Sequence, residues 1–462
     1  MTTVTPSFEE FLPEWVARQR WYAGKGSTPQ LERLGGLRYE DPDGEVGIET
    51  WFLRDTSGPA PVVYQVPLTY RGSPLQGLEK ALVARTEHAE LGARWVYDGC
   101  HDPVGARALL GTVLDERTVT SDGGAGTGRA VGHRAQGGGA MSPVPQPRSS
   151  RVLGGEQSNT SIVFESDDPD PAVICKVFRV LHAGENPDVV VQQALAAAGC
   201  TLVPAPVGHL AGEWPDADGT PVSGHLAFAQ EFLPGVEDAW RVALRAAAAG
   251  QDFSSRAHAL GAATAEIHQI LARTLPVRAA DAAAHEELLE SWSARARTAQ
   301  EEVPQLAGHG ERIHEVLTAG ARAPWPQLQR VHGDYHLGQV LDVPGRGWVI
   351  LDFEGEPMRP LAERSEPDLA LRDVAGMLRS FDYAASSAAQ EASTSAAAWA
   401  RDAREAFLSG YAETSGRHPR EDAALLAALE LDKALYEAVY EVRNRPDWLP
   451  IPLQGVLRAL GD

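Results

Sequence analysis

Cysteine is scarce: Cys100, Cys175 and Cys200 are the only three in 462 residues. An odd, widely spaced set argues against a disulfide framework or a thiolate zinc site. Long hydrophobic runs are missing as well. No stretch approaches the roughly 18 apolar residues of a membrane span, although 43% of the residues are hydrophobic. Met1 to Phe11 has no basic segment leading into an apolar one, so no signal peptide is expected. Positive charge is in deficit, with 41 Lys and Arg against 63 Asp and Glu, a net charge of −22. That disfavours nucleic acid and anionic membranes as partners, because both need a basic face. A small phosphorylated ligand stays open, since it needs only a local positive pocket. At about 150 residues per domain the chain holds two or three domains. The expectation is a cytoplasmic protein of enzyme size, monomer or dimer.

The first segment, residues 1–118, opens with an amphipathic piece around Phe8, Phe11, Leu12 and Trp15. Strand-like runs follow at 47–53 and 61–66, where alternation and β-branched residues predict antiparallel strands. Residues 119–150 then lose their large apolar side chains to Gly, Ser, Thr, Pro and Arg. Such a composition offsets little ordering entropy and predicts a flexible connection or mobile hairpin. Residues 151–235 read as a second β-rich unit. It has strands at 160–164 and 172–178 around an Asp-Pro turn at 167–170, a helix capped by Asn186, and a strand at 225–233. From 236 to 462 the pattern is helical, with Phe253, Leu260, Ile267 and Leu271 at helical spacing. One hairpin interrupts it, 339–341 with 348–351, around Pro344-Gly345-Arg346-Gly347.

The most specific signal is His332-Gly333-Asp334-Tyr335-His336-Leu337-Gly338-Gln339. An Asp followed five residues later by an amide has the spacing of a kinase catalytic loop. Asp334 would orient or accept the hydroxyl proton, and the Gln339 amide oxygen would ligate magnesium. After the hairpin, an apolar strand ends in Asp352-Phe353-Glu354, where a kinase places a second metal-binding carboxylate. A rival reading takes His332, Asp334 and His336 as zinc or iron ligands of a hydrolase. It leaves Gln339 and Asp352 unexplained. Upstream, Lys176 sits inside an apolar strand and should meet an anion, ATP phosphate in a kinase. Gln157, Ser158, Asn159, Thr160 and Ser161 form a small polar loop that can close over phosphates. Strand 225–233 would be the hinge whose backbone, at Gln230, Glu231 and Phe232, reads adenine. On the helix from Glu430 to Asn444, Lys433, Tyr436, Glu437, Tyr440 and Glu441 fall on one face. Carboxylates beside aromatic rings suit a sugar, while a solvated face with ion pairs is the structural alternative. His332, His336, Glu354, Glu356 and Arg443 complete the candidate substrate set.

These residues resemble a known family. His332 through Val340, Asp352-Phe353-Glu354-Gly355-Glu356-Pro357, Arg372 through Ser380, and Tyr436-Glu437 with Tyr440-Glu441 through Arg445-Pro446 look like the actinobacterial maltokinases. That family lies in the aminoglycoside and choline kinase-like group of the protein-kinase-like fold. Arg18-Gln19-Arg20-Trp21-Tyr22 looks like the start of its N-terminal cap, and Gly155 through Ser161 like its phosphate-facing loop. The resemblance implies an α+β, bilobal fold with a β-rich cap, a β-rich intermediate subdomain and a helical C-terminal lobe, ATP binding between the last two. It implies transfer of the ATP γ-phosphoryl group to the anomeric hydroxyl of maltose, with Asp334 as catalytic residue, Gln339 and Asp352 on magnesium, and Lys176 on ATP. Val190 stands where the family usually has the lysine's glutamate partner, leaving Asp188 or Glu185 for that role. Related kinases act on glucosamine, giving glucosamine 6-phosphate, so the resemblance leaves two acceptors. A nucleotide- or sugar-sensing pseudokinase is the non-enzymatic alternative; Lys176, Asp334, Gln339 and Asp352 argue against it.

Overall fold

The structure is a computed structural model that describes residues 4–121, 128–144, 146–154, 158–166, 172–356, 359–392 and 396–461. The chain divides into two compact units, Met1–Gly199 with Pro204–Pro234, and Cys200–Val203 with Gly235–Asp462.

The first unit is built on one antiparallel sheet. Its strands are β1 (Val4–Thr5), β2 (Leu31–Tyr39), β3 (Gly47–Asp55), β4 (Val62–Arg71), β5 (Leu82–His88), β6 (Gly92–Asp98), β7 (Thr118–Thr120), β8 (Arg129–Arg134), β9 (Ser149–Val152), β10 (Asn159–Glu165), β11 (Ala172–Phe178), β12 (Val180–Leu181), β13 (Pro206–Pro215) and β14 (Pro221–Phe232). They run in the order β1-β5-β6-β4-β3-β2-β7-β8-β13-β14-β11-β10-β9, with β12 on β4. Three helices, α1 (Phe8–Ala17), α2 (Pro103–Leu114) and α3 (Pro187–Ala197), accompany the sheet. Period-two alternation decides which face each side chain takes. Trp51, Leu53, Tyr64 and Val66 join Leu12, Trp15 and Val16 of α1 in one core. Ile48, Phe52 and Val63 turn the other way, into a core shared with Leu109, Leu110 and Val113 of α2 and with Ile162, Val173 and Leu226.

That second core crosses the boundary expected between a cap and an intermediate subdomain. Of the flexible connection or hairpin expected at 119–150, the described residues give a hairpin. β7 and β8 form a hairpin, and the hairpin stitches β2 to β13. The glycines permit close packing here. A Cβ at Gly132 would run into the Thr112 carbonyl of α2, and one at Gly128 into the Gly36 carbonyl of β2. Composition alone does not distinguish a glycine that loosens the chain from one that lets two backbones approach. The Asp-Pro turn at 167–170 lies outside the described residues.

The second unit is helical: α4 (Ala239–Ala248), α5 (Ser254–Thr274), α6 (Ala282–Glu302), α7 (Gly310–Arg322), α8 (Leu361–Arg364), α9 (Leu371–Ala392), α10 (Ala397–Ser415), α11 (Ala423–Asn444) and α12 (Pro450–Leu460). Phe253, Leu260, Ile267 and Leu271 are buried, as their spacing predicts. α11 lies at the centre, packed on α6, α7, α9 and α12. A small sheet, β15 (Glu237–Asp238), β16 (Val340–Val343) and β17 (Gly347–Ile350), contains the expected hairpin. Cys200–Val203 belongs here because the Ile350 N–H donates to the Leu202 carbonyl at 2.7 Å and Arg346 Nε to that of Thr201 at 2.8 Å. Among the described residues, no helix is long and apolar enough to cross a membrane.

Candidate active site

In the second unit the loop from Val331 to Gln339 is held from below by one buried carboxylate. Asp373 of α9 accepts the His332 N–H at 2.8 Å and the Gly333 N–H at 2.9 Å. It also meets His268 Nε2 at 2.9 Å, while His268 Nδ1 reaches the Tyr411 hydroxyl at 3.0 Å. Burial pushes the Asp373 pKa up, but the hydrogen bond from His268 and the backbone donors outweigh it and hold it below the usual range. The loop can therefore turn at Gly333, whose φ is 85°, with Asp334 carried out at its tip. Tyr335 points back into the core and meets Thr264 at 3.0 Å.

The β16–β17 hairpin fixes the second carboxylate. Val340 faces Ile350, and the Leu351 N–H donates to the Gln339 carbonyl at 3.1 Å. One residue further, Gln339 Nε2 donates to Asp352 Oδ2 at 3.0 Å. Asp352 has φ 69°, a left-handed conformation that costs a non-glycine residue energy and persists where the surroundings impose it, often at functional sites. A carboxylate and an amide held together offer hard oxygen donors, which suits magnesium.

Asp334 Oδ1 accepts from Lys433 Nζ of α11 at 3.1 Å, and the same ammonium donates to Glu356 Oε1 at 2.9 Å. Glu356 is 2% exposed. Burial alone would raise its pKa, but Lys433, Arg295 and Arg372 hold it down to about 2. Behind it stands a chain of charges: Arg295 Nη1 lies 3.7 Å from Glu356, Arg295 Nε 2.9 Å from Asp432, and Arg372 Nη1 3.5 Å from Asp432.

Several other expected site residues have different partners. His332 is buried, its Nε2–H faces the Leu351 carbonyl at 3.0 Å, and its ring packs on Phe353, so it shapes the loop and does not present a ligand to a sugar. His336 Nδ1 accepts the Gly338 N–H at 3.0 Å, and burial pushes its pKa below the ordinary value. Among the described residues, His332, Asp334 and His336 form no metal-binding cluster, contrary to the hydrolase rival. The Glu354 carbonyl accepts from Arg364 at 3.0 Å. Glu437 accepts from Arg379 Nε and Nη2, at 3.0 and 2.8 Å, and Arg379 is 1% exposed. Glu441 accepts from Arg445 at 2.9 and 2.7 Å. Arg443 forms a surface pair with Glu302. Glu437, Glu441 and Arg443, expected on the sugar, are thus each paired with a charge of the protein itself. Two of these partners, Arg379 and Glu302, come from other helices, and only the fold brings them to α11. Tyr436 is half-buried and Tyr440 exposed.

In the first unit, Lys176 pairs across the sheet with Ser161 of β10 and Phe228 of β14. Its Nζ donates to Asp188 Oδ2 at 3.1 Å, and Asp188 is fixed in turn by Gln192 Nε2 at 2.7 Å. Asp188 thus takes the partner role that Val190 cannot fill. Ser158 is exposed and Asn159 half-buried. Thr160 faces inward, where its hydroxyl accepts from Arg179 Nε at 2.8 Å. Arg179 is fully buried and reaches both oxygens of Asp98, at 2.9 and 2.7 Å. Gln157 lies outside the described residues. The Glu231 N–H is already engaged by the Ala205 carbonyl at 2.8 Å, and Arg151 lies over the Phe232 ring at 6.0 Å. Gln230 Oε1 is buried without a hydrogen-bond partner. The residues missed from sequence are Arg179, Asp98, Arg295 and Asp432, and Asp373, although within the Arg372–Ser380 resemblance, was given no role. No spacing marks them, because each meets its partner only across the fold.

Residues 149–425 match the Phosphotransferase enzyme family, and residues 15–102 match the Maltokinase N-terminal cap domain. The chain belongs to this phosphotransferase family. It is an ATP-dependent carbohydrate kinase. It is 32% identical over 332 residues to a glucosamine kinase of Mycolicibacterium smegmatis, covering 68% of this chain and 80% of that one. It is also 32% identical over 322 residues to a glucosamine kinase of Streptacidiphilus jiangxiensis, with 64% and 70% covered. The fold is that of a glucosamine kinase solved in complex with glucosamine, ADP and inorganic phosphate. The TM-score is 0.66 at 22% identity, over 98% of this kinase and 99% of that chain. A second crystal form of glucosamine kinase gives a TM-score of 0.67 at 22% identity, over 99% and 100%.

Proposed function

We propose that this kinase transfers the γ-phosphoryl group of ATP to the anomeric hydroxyl of maltose, giving maltose 1-phosphate and ADP. Asp334 accepts the hydroxyl proton as the sugar oxygen forms its bond to phosphorus and the bond to the ADP oxygen breaks. Gln339 and Asp352 would hold magnesium, which neutralises charge on the phosphates. Lys176, paired with Asp188, serves the nucleotide, with Ser158, Asn159 and Ser161 on the phosphate side. Tyr436 and Tyr440 offer rings for a sugar face to pack on. The cap-domain match and the signature residues of the resemblance support maltose. The observation that carries the reading is electrostatic: the carboxylates along this part of α11 are engaged by the protein's own cations, Asp432 by Arg295, Glu437 by Arg379 and Glu441 by Arg445. Such a surface suits a neutral acceptor better than a cationic one.

Glucosamine is the second reading, favoured by the two curated relatives at 32% identity. Measuring kcat/KM for maltose, glucosamine, glucose and N-acetylglucosamine at fixed magnesium–ATP separates the two. Maltose is expected to lead. Glucosamine ahead by about tenfold, or roughly 1.4 kcal/mol in transition-state stabilisation, overturns maltose and leaves the kinase chemistry standing.

A further inference from the structure

We propose that His225 is a positioning residue for the nucleotide lysine: it fixes the first turn of α3, the turn that brings Asp188 to Lys176. This rests on the nucleotide role given to Lys176 above and adds the residue that sets its partner. The connection runs entirely within the first unit. The Asn186 N–H donates to His225 Nδ1 at 2.9 Å. The Asn186 side chain caps α3 by accepting the Asp188 N–H, also at 2.9 Å. The Asp188 carboxylate then accepts from Gln192 Nε2 at 2.7 Å and from Lys176 Nζ at 3.1 Å.

The start of α3 leaves His225 a specific task. Pro187, the first helical residue, has no N–H to give, and that of Asp188 is taken by the cap. The Asn186 N–H is therefore the donor by which a neighbouring strand grips this end of the helix. To one side of it, the Gly184 N–H is tied to the Ser223 carbonyl at 2.8 Å. To the other, Val189 packs with Phe178 and Phe228 in a small buried cluster. His225 holds the point between those two anchors. β14 carries both ends of the connection, since Phe228, three residues beyond His225, lies opposite Lys176 of β11. Further along α3, the Gln193 side chain stands 2.6 Å from His209 Nδ1, a second histidine support from the sheet.

Nδ1 accepts only through a lone pair, which puts the proton of the neutral ring on Nε2. The neighbouring imidazoles are those of His209, 4.8 Å away between ring centroids, and of His133 stacked behind it. Burial, and then His133, lower the His225 pKa to about 4. The acceptor thus persists across the neutral range, where His225 acts as a fixed support and not as a switch.

The test compares His225→Asn with His225→Gln. The asparagine oxygen falls where Nδ1 stands, whereas the longer glutamine side chain places its oxygen on the Nε2 side and leaves the Asn186 N–H without this acceptor. ATP dissociation constants come from titration without sugar, and KM values from turnover with maltose and with glucosamine. In His225→Gln the dissociation constant and the KM for ATP should rise by about two- to tenfold, the worth of one hydrogen bond, with the sugar KM unchanged. His225→Asn should behave as wild type. In an Asp188→Asn background His225→Gln should add nothing, because its effect passes through Asp188. Unchanged ATP affinity in His225→Gln, with only a lower thermal midpoint, overturns the proposal, and so does an additive loss in the double variant. Should His225→Gln fail to fold, hydrogen exchange at the Asn186 amide of the wild type decides: protection in the folded state supports the proposal, and the rate of an unbonded amide overturns it. Lys176→Met keeps the two readings apart. If it leaves ATP affinity intact, the nucleotide role of Lys176 is refuted and the proposal with it. If it weakens ATP binding while His225→Gln does not, the proposal alone falls.

Discussion

Single residues here do two kinds of work, and substitution separates them. Asp334 stands at a loop tip whose backbone Asp373 anchors. Asp334→Asn should therefore leave the fold and ATP affinity intact while kcat falls by about 10²- to 10⁴-fold, the usual worth of general-base help. Steady-state turnover and a nucleotide-binding titration check this, and wild-type turnover would sink the assignment. Asp352 is best tested as Asp352→Asn, since asparagine tolerates positive φ and lost turnover then reports the charge and not the backbone. Arg179 is the opposite case. It is buried against Asp98 and Thr160. Arg179→Met would leave the Asp98 carboxylate buried and unpaired, at a cost of about 3–5 kcal/mol in unfolding free energy. Chemical denaturation measures it; a loss below about 1 kcal/mol would mean that Asp98 regains water.

At the scale of elements, the β7–β8 hairpin and its neighbours decide how the first unit holds together. Gly132 has no room for a Cβ against Thr112, whereas a Cβ at Gly138 meets nothing within 4 Å. Gly132→Ala should cost about 1–3 kcal/mol by overpacking, and Gly138→Ala should be close to neutral. Equal thermal midpoints for the two variants would restore the flexible-connection reading. Across β8, β13 and β14 lie His133, His209 and His225, with ring centroids 4.9 and 4.8 Å apart. Burial, and then the neighbouring imidazoles, lower His209 to about 3; burial, and then His133, lowers His225 to about 4. Both sit below the unfolded value near 6.5, so below that pH the unfolded chain takes up protons that the folded chain refuses. Stability is full above pH 6.5 and is lost as pH falls toward 4, by about 1 kcal/mol per histidine at pH 5 once partial exposure is allowed for. His209→Gln should flatten that part of the profile. An unchanged drop between pH 6.5 and 5 would assign it to carboxylates instead.

For the whole molecule, the chemistry should depend on magnesium and the fold should not. The cores are apolar and the described carboxylates of the second unit's loop are held by protein donors. EDTA should abolish turnover, and added magnesium should restore it, with the thermal midpoint unchanged; a lower midpoint in EDTA would reveal a structural metal. The sequence by itself determined the order of β-rich and helical segments, because strand alternation and helical spacing are local patterns. It also determined the Asp334–Gln339 spacing and the hairpin that returns Asp352 to Gln339, since a tight turn fixes register over few residues. The tertiary structure decided the rest. It turned a glycine-rich stretch into a paired hairpin, because close backbone approach is not visible in composition. It gave Glu437 to Arg379 and Thr160 to Arg179, since partners 58 and 19 residues apart leave no mark in spacing. It set Lys433 between Asp334 and Glu356, 99 and 77 residues away. A charge's role follows from the charges that folding brings to it, and those come from anywhere in the chain.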